Sequence, residues 1–120
     1  MQNEENVFLY TLEQIGGPSS GYLELVWGKY SDDMHFWNED SMYIEGYTLE
    51  EIHGMDVLRG TGALPEFDYF ENTVVTKNDW IRMKRILNEI GGPFEILLYE
   101  LEAWVGDGFE THDCFTILGS

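Results

Sequence analysis

The sequence predicts an α+β domain in which a mostly antiparallel sheet packs against one or two main helices. Three observations lead to this prediction. Residues 77–90 repeat apolar side chains at helical spacing, several other segments alternate apolar and polar residues as strands do, and turn-forming residues separate them. The 120 residues fit a single domain, residues 1–120, because a chain of this length can bury enough surface for one core.

The first element is expected to be a helix over residues 4–15. Gly16 suits the left-handed position just past a helix end, and Pro18 cannot continue the helix. Residues 22–27 then predict a strand covered mainly on one side, because apolar and polar side chains alternate there. One face of the predicted helix collects Val7, Phe8, Thr11, Leu12 and Ile15.

The middle of the chain predicts a hairpin, a short helix and a loop. Residues 34–37 and 42–45 flank a run of turn formers, which is typical of a hairpin. Thr48-x-x-Glu51 resembles a capping box for a short helix that ends near Gly54. Residues 54–65 contain three glycines and a proline without periodicity, which favours a loop. Residues 67–75 predict a further strand, and the apolar residues 114–118 predict a strand inside the sheet.

The helix over residues 77–90 is the clearest element. Trp80, Met83 and Leu87 lie on one helical face, Thr76 suits the N-cap, and Asp79 stands three residues later. The tetrapeptide Ile-Gly-Gly-Pro closes this helix at residues 90–93 and also occurs at residues 15–18. Alternation over residues 97–105 then predicts a long strand, so both copies are expected to separate a helix from a strand.

The net charge of −17 is the most informative feature for function. A surface with 23 acidic and six basic residues repels nucleic acid and anionic membranes and attracts basic proteins. Four of the six basic residues fall within residues 77–90, where Asp79 and Glu89 are the only acids. This basic segment is expected to dock on an acidic surface, either within its own subunit or in a second copy of the chain.

Sequence signatures of enzymes are few. The chain has no Gly-x-Ser-x-Gly elbow, phosphate-binding loop, His-Glu-x-x-His or Cys-x-x-Cys motif. His112 and Cys114 would share one side of a strand, but a lone cysteine entering an apolar stretch favours a small core residue. Asp107, Glu110 and Asp113 offer oxygens to a hard cation, but their spacing matches no calcium loop. We therefore expect no catalytic residues, no bound metal and no cofactor.

An acidic, aromatic-rich segment is the predicted interaction surface. Residues 31–71 contain eleven acids and one base, Arg59, and the aromatic residues interleaved among them include Trp37, Tyr43, Tyr47, Tyr69 and Phe70. Carboxylates can steer a basic partner, and aromatic anchors can supply the buried contact. The predicted partner-binding residues are Asp32, Asp33, Trp37, Glu39, Asp40, Asp68 and Glu71.

In size, acidity and α+β pattern, with aromatic and acidic residues concentrated in residues 31–71 and 95–113, the chain resembles the small immunity proteins that bacteria encode beside secreted or contact-dependent toxins. This resemblance implies an inhibitor that binds a cognate, basic, nuclease-like toxin domain. The alternatives are a phage-encoded nucleic-acid mimic that inhibits a defence system and a small metal-dependent enzyme. The single cysteine and the absence of a signal peptide or long apolar run predict a cytoplasmic location without membrane or direct nucleic-acid binding.

Overall fold

A computed structural model describes residues 6–17, 21–29 and 41–119. The strands are β1 (Leu9–Thr11), β2 (Tyr22–Trp27), β3 (Met42–Glu45), β4 (Thr73–Thr76) and β5 (Cys114–Leu118). The helices are α1 (Gly46–Glu51), α2 (Gly54–Gly60), α3 (Lys77–Ile90) and α4 (Pro93–Val105). No helix within the described ranges is both long enough and apolar enough to cross a bilayer.

The five strands form one sheet in the order β1-β3-β2-β5-β4, and every pairing is antiparallel. The predicted α+β class with an antiparallel sheet is therefore confirmed. Strand β5 lies between β2 and β4, with Phe115 opposite both Trp27 and Val75. All five residues of β5 are buried, as the apolar run over residues 114–118 predicts.

The main core lies between one face of this sheet and the two long helices. Helix α3 has the predicted bounds and buries Trp80, Met83 and Leu87, while α4 contributes Leu97 and Leu101. Helices α3 and α4 form an antiparallel hairpin, since a cavity at its open end is lined by the start of α3 and the end of α4. The sheet contributes Leu23, Leu25, Ile44, Val75, Phe115 and Ile117 to this core.

The opposite face of the central strands is also buried, which corrects the prediction that β2 is covered mainly on one side. Glu24 is 4% exposed and lies between Tyr43 and Leu118 in the register. The Tyr43 hydroxyl donates to Glu24 Oε2 at 3.4 Å. Burial raises the pKa of Tyr43, and the neighbouring Glu24 carboxylate raises it further. A charged residue in an alternating strand therefore does not mark a solvent-exposed face here.

The predicted N-terminal helix over residues 4–15 is wrong within the described residues. Leu9–Thr11 form the edge strand β1, followed by a turn. The buried Glu100 side chain explains this difference, because its carboxylate accepts hydrogen bonds from three consecutive backbone amides. The Val7 amide donates to Oε2 at 2.7 Å, and those of Phe8 and Leu9 donate to Oε1 at 2.9 Å. These bonds hold the segment extended against α4.

The predicted strand over residues 97–105 is also wrong, because these residues belong to helix α4. Pro93 occupies the first helical turn, where its missing N–H is no loss. Gly91 and Gly92 have positive φ angles of 71° and 58° and form the short connection after α3. The second Ile-Gly-Gly-Pro therefore joins two helices. The first begins within the turn that follows β1, and its Pro18 lies outside the described residues.

The predictions for residues 42–75 are confirmed only in part. Strand β3 matches the second arm of the predicted hairpin, whereas residues 34–37 lie outside the described residues. Thr48 is not an N-cap, because α1 begins at Gly46 and the Thr48 hydroxyl donates to the Glu45 carboxylate. Residues 54–60 form helix α2 and not a loop, and the strand predicted over residues 67–75 begins only at Thr73.

The capping box of α3 gives a testable pH dependence. Burial raises the pKa of Asp79, but hydrogen bonds from the Thr76 amide and hydroxyl and from Arg82 outweigh this effect and hold it below its usual value. The stability that Asp79 contributes is therefore present at neutral pH and disappears as pH falls through its pKa. We expect Asp79→Asn to lower the free energy of unfolding by about 1 kcal/mol at pH 7.

Urea denaturation across a pH series measures this effect. The difference between wild type and Asp79→Asn should begin to shrink near about pH 4, the usual pKa of an aspartate, and should disappear as pH falls through the lower pKa of the folded state. Glu89→Gln removes an exposed acid from the same helix and serves as the control. A difference between wild type and Asp79→Asn that stayed constant down to pH 2 would contradict this explanation.

Candidate partner-binding face

The structure describes two of the seven predicted partner-binding residues. Asp68 and Glu71 lie in the connection between α2 and β4, on either side of Tyr69 and Phe70. Glu71 is exposed and Asp68 is half-buried. The other five lie outside the described residues: Asp32, Asp33, Trp37, Glu39 and Asp40.

Local packing turns the Phe70 side chain outward. Phe67 is buried and contacts the Tyr69 ring edge-to-face at a centroid distance of 5.4 Å. The Asp68 carboxylate accepts a hydrogen bond from the Phe70 amide at 2.8 Å, which fixes a tight turn. Phe70 is consequently 75% exposed, although the residues on its N-terminal side are packed into the protein.

Gly119, just after β5, packs against the backbone of the same turn. The Gly119 amide donates to Asn72 Oδ1 at 3.1 Å. A Cβ atom at position 119 would lie 2.5 Å from both the backbone nitrogen and oxygen of Glu71. This close approach requires glycine, and it ties the turn to the C-terminal end of β5. Phe70 is therefore displayed from a supported backbone.

Two adjoining cavities open on either side of Phe70. The first has a volume of about 260 Å³ and lies beside Tyr47, which is 72% exposed. The second has a volume of about 250 Å³ and is lined by His53 and Asp56. Both cavities share Glu50, Tyr69 and Phe70. We call this surface the Phe70 face and define it as Tyr47, Glu50, His53, Asp56, Tyr69 and Phe70.

The corner between α1 and α2 positions the acidic side of the Phe70 face. His53 adopts a left-handed conformation with φ 57°, and its amide donates to the Glu50 carbonyl at 2.9 Å. Gly54 follows, and a Cβ atom there would lie 2.8 Å from the Leu49 carbonyl oxygen, so only glycine allows this close corner. Glu50 belongs to α1 and Asp56 to α2, and the tight corner between the two helices brings both side chains to the same cavity.

Carboxylates dominate the electrostatics of the Phe70 face. Burial raises the pKa of Tyr69, and the negative charges of Glu50 and Asp56 add to that increase. No Lys or Arg side chain lines either cavity among the residues that the structure describes. The face therefore offers aromatic rings beside negative charge, which suits a cationic side chain through ion pairing and contact with the ring faces.

The remaining candidates for chemistry lie outside the Phe70 face. Cys114 is buried, as predicted for a core residue, whereas the exposed His112 ring stacks on Trp27 at 4.9 Å. Asp107, Glu110 and Asp113 are exposed around a 3-10 turn at Gly108–Glu110. In residues 6–17, 21–29 and 41–119, no three His, Cys, Asp or Glu side chains are placed to hold a metal ion.

Sequence reasoning missed part of the Phe70 face. It named Tyr47, Tyr69 and Phe70 as aromatic residues of the interaction segment and Asp68 and Glu71 as contacts, but it did not select Glu50, His53 or Asp56. These three side chains meet because of the corner between α1 and α2. The sequence analysis predicted a short helix before this corner but a loop in place of α2, so it could not bring them together. The sequence signal for α2 is the group of apolar residues Met55, Val57 and Leu58. The glycines on either side of this group favoured the prediction of a loop.

Comparison with known proteins gives no match: no family model, curated protein sequence or solved structure matches this chain. The functional argument therefore depends on the geometry and charge of the Phe70 face.

Proposed function

We propose that this chain is an immunity-type inhibitor that binds a basic, nuclease-like toxin domain through the Phe70 face and neutralises it. The protein acts in the bacterial cytoplasm by binding and not by catalysis. The observation that carries the proposal is an exposed aromatic ring, Phe70, displayed between two cavities that are lined by carboxylates.

The energetic argument starts from Phe70. A phenylalanine that is 75% exposed gains little from the fold in which it stands, and burying it against a partner removes apolar surface from water. The supported turn means that little ordering is needed when the partner binds, which lowers the entropic cost of association. Phe70 and Tyr47 therefore have the properties of central anchors in a protein interface.

The charge argument decides which partner fits. Glu50 and Asp56 stand beside these anchors, and the whole chain carries −17. Like charges repel an acidic partner, whereas a basic domain is steered to this surface over long distances and is then held by short-range ion pairs. A toxin that binds nucleic acid presents such a basic surface, so carboxylates of this chain would occupy places that phosphates otherwise take.

Co-purification with the product of the adjacent gene tests the proposal. We expect the tagged chain to retain a basic protein at low salt and to release it as salt rises. The double variant Glu50→Lys/Asp56→Lys should weaken the complex at least about tenfold. The control is Glu13→Lys/Glu89→Lys, which changes the net charge by the same amount at exposed positions outside the face.

The matched pair of variants separates local contact from general acidity. Equal weakening by both variants would show that only the overall charge matters, and it would reject the Phe70 face as the binding site. Failure of the wild-type chain to retain the adjacent gene product at low salt would reject the immunity function itself.

A further inference from the structure

A second exposed surface lies on the outer side of the α3–α4 hairpin. Ile81 on α3 is 53% exposed, and on α4 Ile96 is 46% and Tyr99 is 72% exposed. The inward positions of both helices are occupied by core residues such as Met83 and Leu101, so these three side chains point away from the sheet. Large apolar side chains grouped on neighbouring exposed helical faces are typical of an interaction surface.

Opposite charges accompany these apolar residues on the two helices. On α3, Lys77 and Arg85 are exposed at either end of the turns that carry Ile81. Arg82 differs from them, because its guanidinium donates to the Gly62 carbonyl at 2.9 Å and pairs with Asp79 at 3.1 Å. On α4, Glu95 and Glu102 flank Ile96 and Tyr99 and are exposed. One helix thus presents a basic strip and the other an acidic strip.

The two strips have matching lengths. Lys77 and Arg85 are eight residues apart, which is about 12 Å along a helix, and Glu95 and Glu102 are seven apart, or about 10.5 Å. Because the helices of the hairpin are adjacent and antiparallel, a twofold axis that lies in the plane of the interface and runs parallel to the helices would place each basic strip over the acidic strip of the other copy. A surface that carries both halves of a complementary pair is suited to an isologous contact.

We propose that two copies of this chain associate through the outer faces of α3 and α4 and form a four-helix interface. Lys77 and Arg85 of each copy pair with Glu95 and Glu102 of the other, and Ile81, Ile96 and Tyr99 supply the apolar contact. This inference is independent of the proposed function, because none of these residues belongs to the Phe70 face. Two copies would therefore present two Phe70 faces in one assembly.

The net charge of −17 sets the condition under which the dimer forms. Two such chains repel each other over long distances, but at an ionic strength of about 0.15 M the screening length is about 8 Å. Contacts between the strips act at shorter range and are screened less. We expect association to strengthen between very low salt and about 0.15 M, unlike the complex with a basic partner, which weakens with salt.

Sedimentation equilibrium of the full chain with exchanged charges is the test. Variant one is Lys77→Glu/Arg85→Glu, which makes both strips acidic, and variant two is Glu95→Lys/Glu102→Lys, which makes both basic. Each variant alone should dimerise at least about tenfold more weakly than wild type. An equimolar mixture should restore a 1:1 dimer, because each basic strip then meets an acidic strip of the other variant. Circular dichroism confirms that both variants are folded.

Each outcome decides the proposal. Restoration in the mixture supports it, since no loss of folding can produce a gain of assembly. A wild-type chain that is monomeric at concentrations up to about 0.3 mM overturns it, because a weaker contact has no role at cellular concentration. Variants that dimerise as well as wild type overturn it too, because the contact would then lie on another surface. The variant Glu50→Lys/Asp56→Lys tests the Phe70 face, so its effect on partner binding does not bear on whether the chain dimerises through α3 and α4.

Discussion

Glu100→Gln is expected to lower the free energy of unfolding by about 3 kcal/mol, the largest effect on stability that we predict for a single side chain outside the apolar core. Glu100 is 5% exposed, and its carboxylate accepts three backbone amides from Val7, Phe8 and Leu9. The amide group of glutamine places an NH₂ donor where one of these N–H donors needs an acceptor. It also removes the charge that strengthens all three bonds.

Thermal denaturation measures this prediction. For a chain of this size, a loss of about 3 kcal/mol lowers Tm by roughly 10 °C. Amide hydrogen exchange should accelerate first at residues 7–9, because the lost bonds hold the edge strand β1 against α4. Glu89→Gln is the matched control, since Glu89 is an exposed acid on the neighbouring helix α3 and lies outside both proposed contact surfaces. Similar Tm values for the two variants would show that the carboxylate does not anchor the N-terminal segment.

Phe70→Ala is expected to weaken the complex with the basic partner by about 30-fold to 1,000-fold, which corresponds to the 2 to 4 kcal/mol of a central aromatic anchor. The side chain lines both cavities, so its loss removes a wall that the two cavities share. Titration calorimetry with the purified partner measures the change in affinity. Stability should change by less than about 0.5 kcal/mol, because the ring is 75% exposed in the free protein.

Tyr99→Ala provides the matched aromatic control for this measurement. Tyr99 is 72% exposed, but it lies on α4 outside the Phe70 face. We expect its removal to leave the affinity for the partner unchanged within a factor of about three. If Tyr99→Ala weakened the complex and Phe70→Ala did not, the partner would bind the helical hairpin and the functional assignment of the two faces would be reversed.

The elements that sequence reasoning predicted correctly are those whose signals are local and mutually consistent. Helix α3 combines an apolar stripe, a Thr76–Asp79 capping box and a glycine end, and the structure has the predicted bounds. Strand β5 is apolar apart from Thr116, and a short run of this kind favours a strand buried inside a sheet. In both cases burial and backbone preference favour the same structure, so neighbouring elements did not have to be known.

The errors occurred where one local pattern supports two structures. Residues 97–105 alternate as a strand does, yet the apolar residues at positions 94, 97, 98, 101 and 105 also have helical spacing and form the buried side of a helix. Packing against α3 and the sheet selects the helix. Residues 6–15 gave the opposite error, because the partner that holds their amides is Glu100, more than ninety positions away.

The sequence by itself determined the α+β class, the strong acidity, the basic character of α3 and the identity of Phe70 and Tyr47 as members of an aromatic and acidic segment. Tertiary structure alone decided which of those residues face solvent and which acids stand beside them. Glu50 and Asp56 share a cavity because of the corner at His53 and Gly54, and Phe70 is held outward by contacts with Asp68 and Gly119. Composition states how many carboxylates a chain has, whereas backbone geometry and long-range packing decide which of them act together.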